Sequence, residues 1–145
     1  MTTKEAQDLL DRTNAAWHRR CIICGRGGQC GLDLRFEATS DGGVEASFEC
    51  PQRYQGYDGV LHGGVTSSLL DSAMTNCLFA RGIVAVTAEL TVRFRHPVQV
   101  GIPLVVQAEI VRRQQPLFVL EARIVQDGQL KARAVGKFME RAPAR

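Results

Sequence analysis

The chain has 145 residues, of which 45% are hydrophobic and 23% charged, and a net charge of +3. That is the size and composition of one globular domain able to bury a core without disulfide or metal staples. No run approaches the roughly 20 apolar residues that span a bilayer, and the opening MTTKEAQDLLDRTNAAWHRR lacks the apolar centre of a secretory signal. Lys and Arg are too dispersed to form a nucleic-acid surface. One domain over 1–145, a cytoplasmic location, no membrane and no nucleic-acid partner are therefore expected.

Residues 3–20 carry Ala6, Leu9, Leu10, Ala15 and Trp17 among charged residues, a spacing that predicts an amphipathic helix within 1–20. The segment CIICGRGGQCG, residues 21–31, combines four glycines with three cysteines and suits a turn-rich loop. Cys21, Cys24, Cys30 and Cys50 could supply four thiolates to a structural zinc. Only the first two form a close pair, however, and an odd total of five cysteines without an export signal points to reduced thiols, so no metal is expected. His18 and His96 have no evident partner and read as ordinary surface or edge residues.

Two strand-like runs at 32–39 and 44–50 flank Ser40-Asp41-Gly42-Gly43 and predict a hairpin. From 65 to 79 the apolar residues Val65, Leu69, Leu70, Ala73, Met74, Cys77 and Leu78 follow helical spacing, ending near Arg81-Gly82. Everything beyond reads as β-structure, at 84–94, 104–112, 117–126 and 130–139, with Asp127-Gly128 as a tight-turn signal. The whole is an α+β domain, its antiparallel sheet packed against one long helix.

That helix is unusual in what it lacks. Between Gly59 and Ala80 the only Lys, Arg, Asp or Glu is Asp71, accompanied by Ser, Thr and Asn. Small uncharged residues on both faces suggest enclosure by protein, and a lone acid there is either a hydrogen-bonded structural group or a catalytic carboxylate. Ser68, Asp71 and Thr75 share one side of the helical wheel. The helix begins at Leu61-His62-Gly63-Gly64, where unpartnered first-turn N–H groups can polarise a carbonyl and stabilise an oxyanion.

The run Gly59-Val60-Leu61-His62-Gly63-Gly64, followed after six intervening residues by Asp71, resembles the HGG motif and helix carboxylate of hot-dog thioesterases of the PaaI-like type. The stretch Thr87-Ala88-Glu89-Leu90-Thr91-Val92-Arg93-Phe94 and Pro97 looks like that family's next strand and turn. Cys21-Ile22-Ile23-Cys24-Gly25 resembles a subgroup with a CxxCG element. The likeness covers roughly residues 20 to 140.

The resemblance implies a hot-dog fold, five to six antiparallel strands wrapped around the long helix. It implies hydrolysis of an acyl-CoA or related thioester without a cofactor, or, in the alternative, a non-catalytic acyl-CoA binding or regulatory module. By the same likeness Asp71 would be nucleophile or general base. Gly63 or Gly64 N–H would polarise the carbonyl, His62 would shape the turn or contact substrate, and Thr87 would position water or carboxylate. Gln55, Gly56, Ser68 and Thr75 would lie along the substrate. The family also implies a homodimer or homotetramer whose active site lies at the subunit interface. Two departures stand out: Gly56 replaces an Asn that many relatives carry six residues before the motif histidine, and Ser72 replaces an acid common in the CxxCG subgroup.

Overall fold

The computed structural model describes residues 1–26 and 31–141. Helix α1 (Thr3–Trp17) starts on a capping box in which Thr2 Oγ1 accepts from Glu5 N–H and the Glu5 carboxylate accepts from Thr2 N–H. Strands β1 (Glu37–Ala38) and β2 (Val44–Glu49) form the first hairpin. Helix α2 (Gly63–Phe79) follows, then β3 (Ala85–Phe94), β4 (Pro103–Gln114), β5 (Leu117–Gln126) and β6 (Gln129–Glu140).

The six strands form one antiparallel sheet in the order β1-β2-β4-β5-β6-β3. Strands β4, β5 and β6 are a meander. The β5–β6 turn is Asp127-Gly128, both at positive φ (51° and 71°), as a two-residue hairpin with the strands' own twist requires. Strand β3 crosses to the far side and pairs with β6, so β1 and β3 are the two edges. The sheet wraps α2, which packs on β2 through β6, while α1 lies on α2 and β1. This is the hot-dog architecture.

The core is built from the inward residues of each strand (Val44, Ala46, Leu104, Val106, Phe118, Leu120, Ile124, Ala132, Ala134, Phe138) against Leu69, Leu70, Ala73, Met74, Cys77 and Leu78 of α2. A glycine sets the closest approach: a Cβ at Gly136 of β6 would stand 2.9 Å from Met74 Sδ, so only a missing side chain lets the helix settle there. Helix α2 ends as expected, Gly82 taking φ 71° just beyond the last turn.

One expected strand is mostly absent. Residues 32–36 alternate buried Leu32, Leu34 and Phe36 with exposed neighbours, as a strand would, but only Glu37–Ala38 joins the sheet. The N–H groups of Leu32 and Leu34 instead donate to the carbonyls of Ile22 and Ile23 (2.9 and 2.7 Å), so the segment pairs with the cysteine loop. Strand β3 carries a bulge between Thr87 and Glu89.

Candidate active site

Asp71 lies in the middle of α2, half buried, and its Oδ1 accepts a hydrogen bond from Thr87 Oγ1 at 2.6 Å. Burial raises its pKa above the ordinary 3.8, an effect that the Thr87 hydroxyl and the nearby His18 partly offset and Cys21 reinforces. A carboxylate made more basic by its surroundings and pinned by one donor is a better proton acceptor than a free one. Its neighbours cause little competition. Ser68 Oγ donates to Gly64 O (2.8 Å) and Thr75 Oγ1 to Asp71 O (3.1 Å), so the helix satisfies its own hydroxyls. Thr75 is buried beneath Asp71 and serves as support, whereas Ser68 remains partly exposed.

A second group forms at the start of α2. His62 is the N-cap, its Nδ1 accepting from Gly64 N–H at 2.9 Å. A neutral His62 thus carries its proton on Nε2. Gly64 N–H is engaged in this cap, leaving the exposed Gly63 N–H, which lies outside the helix ladder, as the better-placed donor for a ligand oxygen. Gln55 and Gly56 brace the turn: Gln55 Oε1 accepts from Gly59 N–H (3.0 Å), and a Cβ at Gly56 would meet His62 Cα at 3.4 Å.

Sequence reasoning missed Phe94. Its ring lies against Gly63, 3.6 Å from where a Cβ would stand, yet the residue is 59% exposed. The signal was an aromatic facing the apolar side at the end of a strand. The two groups are far apart. Gly63 and Asp71 are eight residues apart on one helix, about 12 Å along its axis at 1.5 Å per residue. One carbonyl cannot touch both in a single chain. A concavity of about 270 Å³ lined by Gln107, Arg123 and Arg133 does not include either group.

A family profile described as Thioesterase superfamily matches residues 58–132, which hold the histidine-glycine turn, Asp71 and Thr87. The chain belongs to the thioesterase superfamily. Mouse acyl-coenzyme A thioesterase 13 is 33% identical over 61 residues, 41% of this chain and 44% of that protein, so the chain spans less than half of that relative's length. The E. coli PaaI protein from the phenylacetic acid degradation operon aligns with a TM-score of 0.78 at 20% identity, covering 98% of this chain and 97% of that one. A thioesterase protein from Streptococcus pneumoniae TIGR4, solved with coenzyme A, aligns at TM-score 0.71 and 18% identity over 77% of this chain and 91% of that one. These two likenesses establish the thioesterase fold.

The described cysteines do not gather with Cys50 as the four-thiolate alternative to reduced thiols would require. Cys21 and Cys24 converge not with Cys50 but with His18, the three ligand atoms lying within 4.8 Å of one another. His18 is therefore not an ordinary surface residue: half buried, it faces Cys24 and packs edge-on against Phe79. Cys50 and Cys77 are buried elsewhere, and burial pushes their thiols up to about 11 and about 12. Cys30 lies outside the described residues. No helix among the described residues is long and apolar enough to cross a membrane.

Proposed function

We propose that the chain hydrolyses acyl-CoA or a related acyl thioester, with Asp71 as general base, in a site completed by a second copy of the chain. The observation that carries this is the Asp71 carboxylate itself: half buried, raised in basicity by burial, held by Thr87, and the lone acid of its helix. Family membership supports thioester hydrolysis, and the coenzyme A in the streptococcal relative supports the carrier.

In this reading the thioester carbonyl accepts a hydrogen bond from Gly63 N–H at the positive end of α2. Asp71 takes a proton from water as the water oxygen bonds to the carbonyl carbon. The tetrahedral intermediate collapses, the C–S bond breaks, and the departing thiolate takes the proton held by Asp71, giving a carboxylic acid, a free thiol and the regenerated carboxylate. The 12 Å between Gly63 and Asp71 in one chain favours Asp71 of one copy meeting the glycine turn of another. Strand β3 offers the means: ten residues long, it is a sheet edge with backbone groups free to pair. A homodimer or homotetramer follows.

The test is thiol release from a panel of short, medium and aromatic acyl-CoAs by wild type and Asp71→Asn. Loss of a general base costs about 10²-fold or more in kcat, near 3 kcal/mol of barrier. Acyl-CoA affinity should change much less. Binding without thiol release by the wild type would favour a non-catalytic module instead; a folded variant keeping more than about a third of the rate would leave Asp71 structural.

A further inference from the structure

We infer that His18, Cys21 and Cys24 form a three-ligand site for a thiophilic divalent metal, zinc by its donor set, at the junction of α1, the loop after it and α2. The chain folds to make this cluster. His18 caps the end of α1, its N–H donating to Asn14 O, and Cys21 N–H then donates to His18 O (3.0 Å). Gly25 N–H closes the loop onto Cys21 O at 2.9 Å, and a Cβ at Gly25 would lie 2.5 Å from that oxygen, so this tight return needs glycine.

The geometry fits tetrahedral zinc. Cys24 Sγ lies 3.6 Å from His18 Nδ1, and all three ligand atoms lie within 4.8 Å. With Zn–S near 2.3 Å and Zn–N near 2.0–2.1 Å, adjacent ligands of a tetrahedral ion stand about 3.5–3.8 Å apart. Two thiolates and a neutral imidazole cancel the charge of a divalent ion, so no net charge is buried.

The surroundings are those of metal-bound sulfur. Ile23 N–H donates to Cys21 Sγ at 3.4 Å and Asn14 Nδ2 to Cys24 Sγ at 3.3 Å, donors that favour thiolates. Phe79 of α2, 5.0 Å away and nearly perpendicular, fixes the His18 ring. Asn14 Oδ1 is buried with no partner among the described residues.

The metal would lock α1 to the catalytic helix. Asn14 Nδ2 also donates to Asn76 Oδ1 (3.0 Å), and Asn76 Nδ2 donates to Ser72 O (2.9 Å), next to Asp71. The proposed thioester chemistry does not pass through the ion, and the test below is independent of that chemistry.

The full chain is produced in zinc-supplemented medium, purified without chelator, and its metal content measured. About one zinc per chain is expected. Cobalt(II) added to zinc-stripped protein should give a near-ultraviolet thiolate-to-cobalt charge-transfer band. Cys21→Ser and Cys24→Ser should drop the metal to background, His18→Gln should weaken cobalt binding at least about tenfold, and Cys77→Ala should leave both unchanged. The first two readings are made on the unmutated chain, so a variant that fails to fold leaves the proposal testable. Wild type without zinc and without the cobalt band overturns it, whether its thiols alkylate freely or Cys21 and Cys24 appear as a disulfide two hydrogens lighter in intact mass. Full zinc content in both serine variants overturns it equally.

Discussion

The carboxyl of Asp71 is held where its charged form is disfavoured, with a folded-state pKa above the ordinary 3.8 because of burial. A group raised in this way stabilises the fold fully only below its unfolded pKa, and that contribution is lost as pH rises through the folded value. At neutral pH the ionised side chain therefore weakens the fold. Asp71→Asn should melt at a higher temperature than wild type at pH 7, the gap narrowing as pH falls toward 4; a variant less stable at pH 7 would mean that the Thr87 bond outweighs burial. The acid was legible in the sequence because every neighbour on the helix is uncharged. His18 was not, since Cys24 and Phe79 reach it through the turn after α1 and the packing of α2, which no local periodicity records.

Helix α2 starts on a histidine, an uncommon cap. His62→Ala should remove the acceptor for Gly64 N–H and cost about 0.5–2 kcal/mol, read as a lower denaturation midpoint, whereas His62→Asn should restore most of it. An unchanged midpoint with lost turnover would place His62 in the chemistry instead. Elements with strong local signals were readable: residues 117–126 form β5 as expected, and Asp127-Gly128 makes its turn. Residues 32–36 misled because their alternation specifies one buried face but not the partner, and the partner is the loop at Ile22 and Ile23. The separation of Gly63 from Asp71 was legible, since eight residues along one helix amount to about two turns.

On the scale of the molecule the two sheet edges differ. Strand β1 is blunt at two residues, whereas β3 presents ten, with Val86 55% and Phe94 59% exposed. Val86 stands opposite Met139 on the outer face, another exposed apolar residue. A long, apolar, unpaired edge is a template for a second strand. Light scattering at micromolar concentration should therefore give at least twice the 15.9 kDa chain mass, and specific activity should fall on dilution through dissociation. A monomer of full activity would break the link between assembly and catalysis.

The bulge in β3 works as a phase slip. Thr87 stands opposite Phe138, while Leu90, Val92 and Phe94 stand opposite Gly136, Ala134 and Ala132, all on the side facing α2. Odd and even positions share a face only because Ala88 is an extra count between Thr87 and Glu89. In an unbroken strand Thr87 would align with Glu89, Thr91 and Arg93 and point away from Asp71. Deleting Ala88 should restore the regular alternation with Thr87 directly before Glu89 and still opposite Phe138, so its hydroxyl stays on the side facing α2. Circular dichroism and the acid limb of the rate profile should both remain near wild type, because Asp71 keeps the hydroxyl that lowers its pKa. A deletion variant whose acid limb moved to higher pH would show that the local bend of the bulge, and not only the face that Thr87 occupies, aims the hydroxyl at the carboxylate.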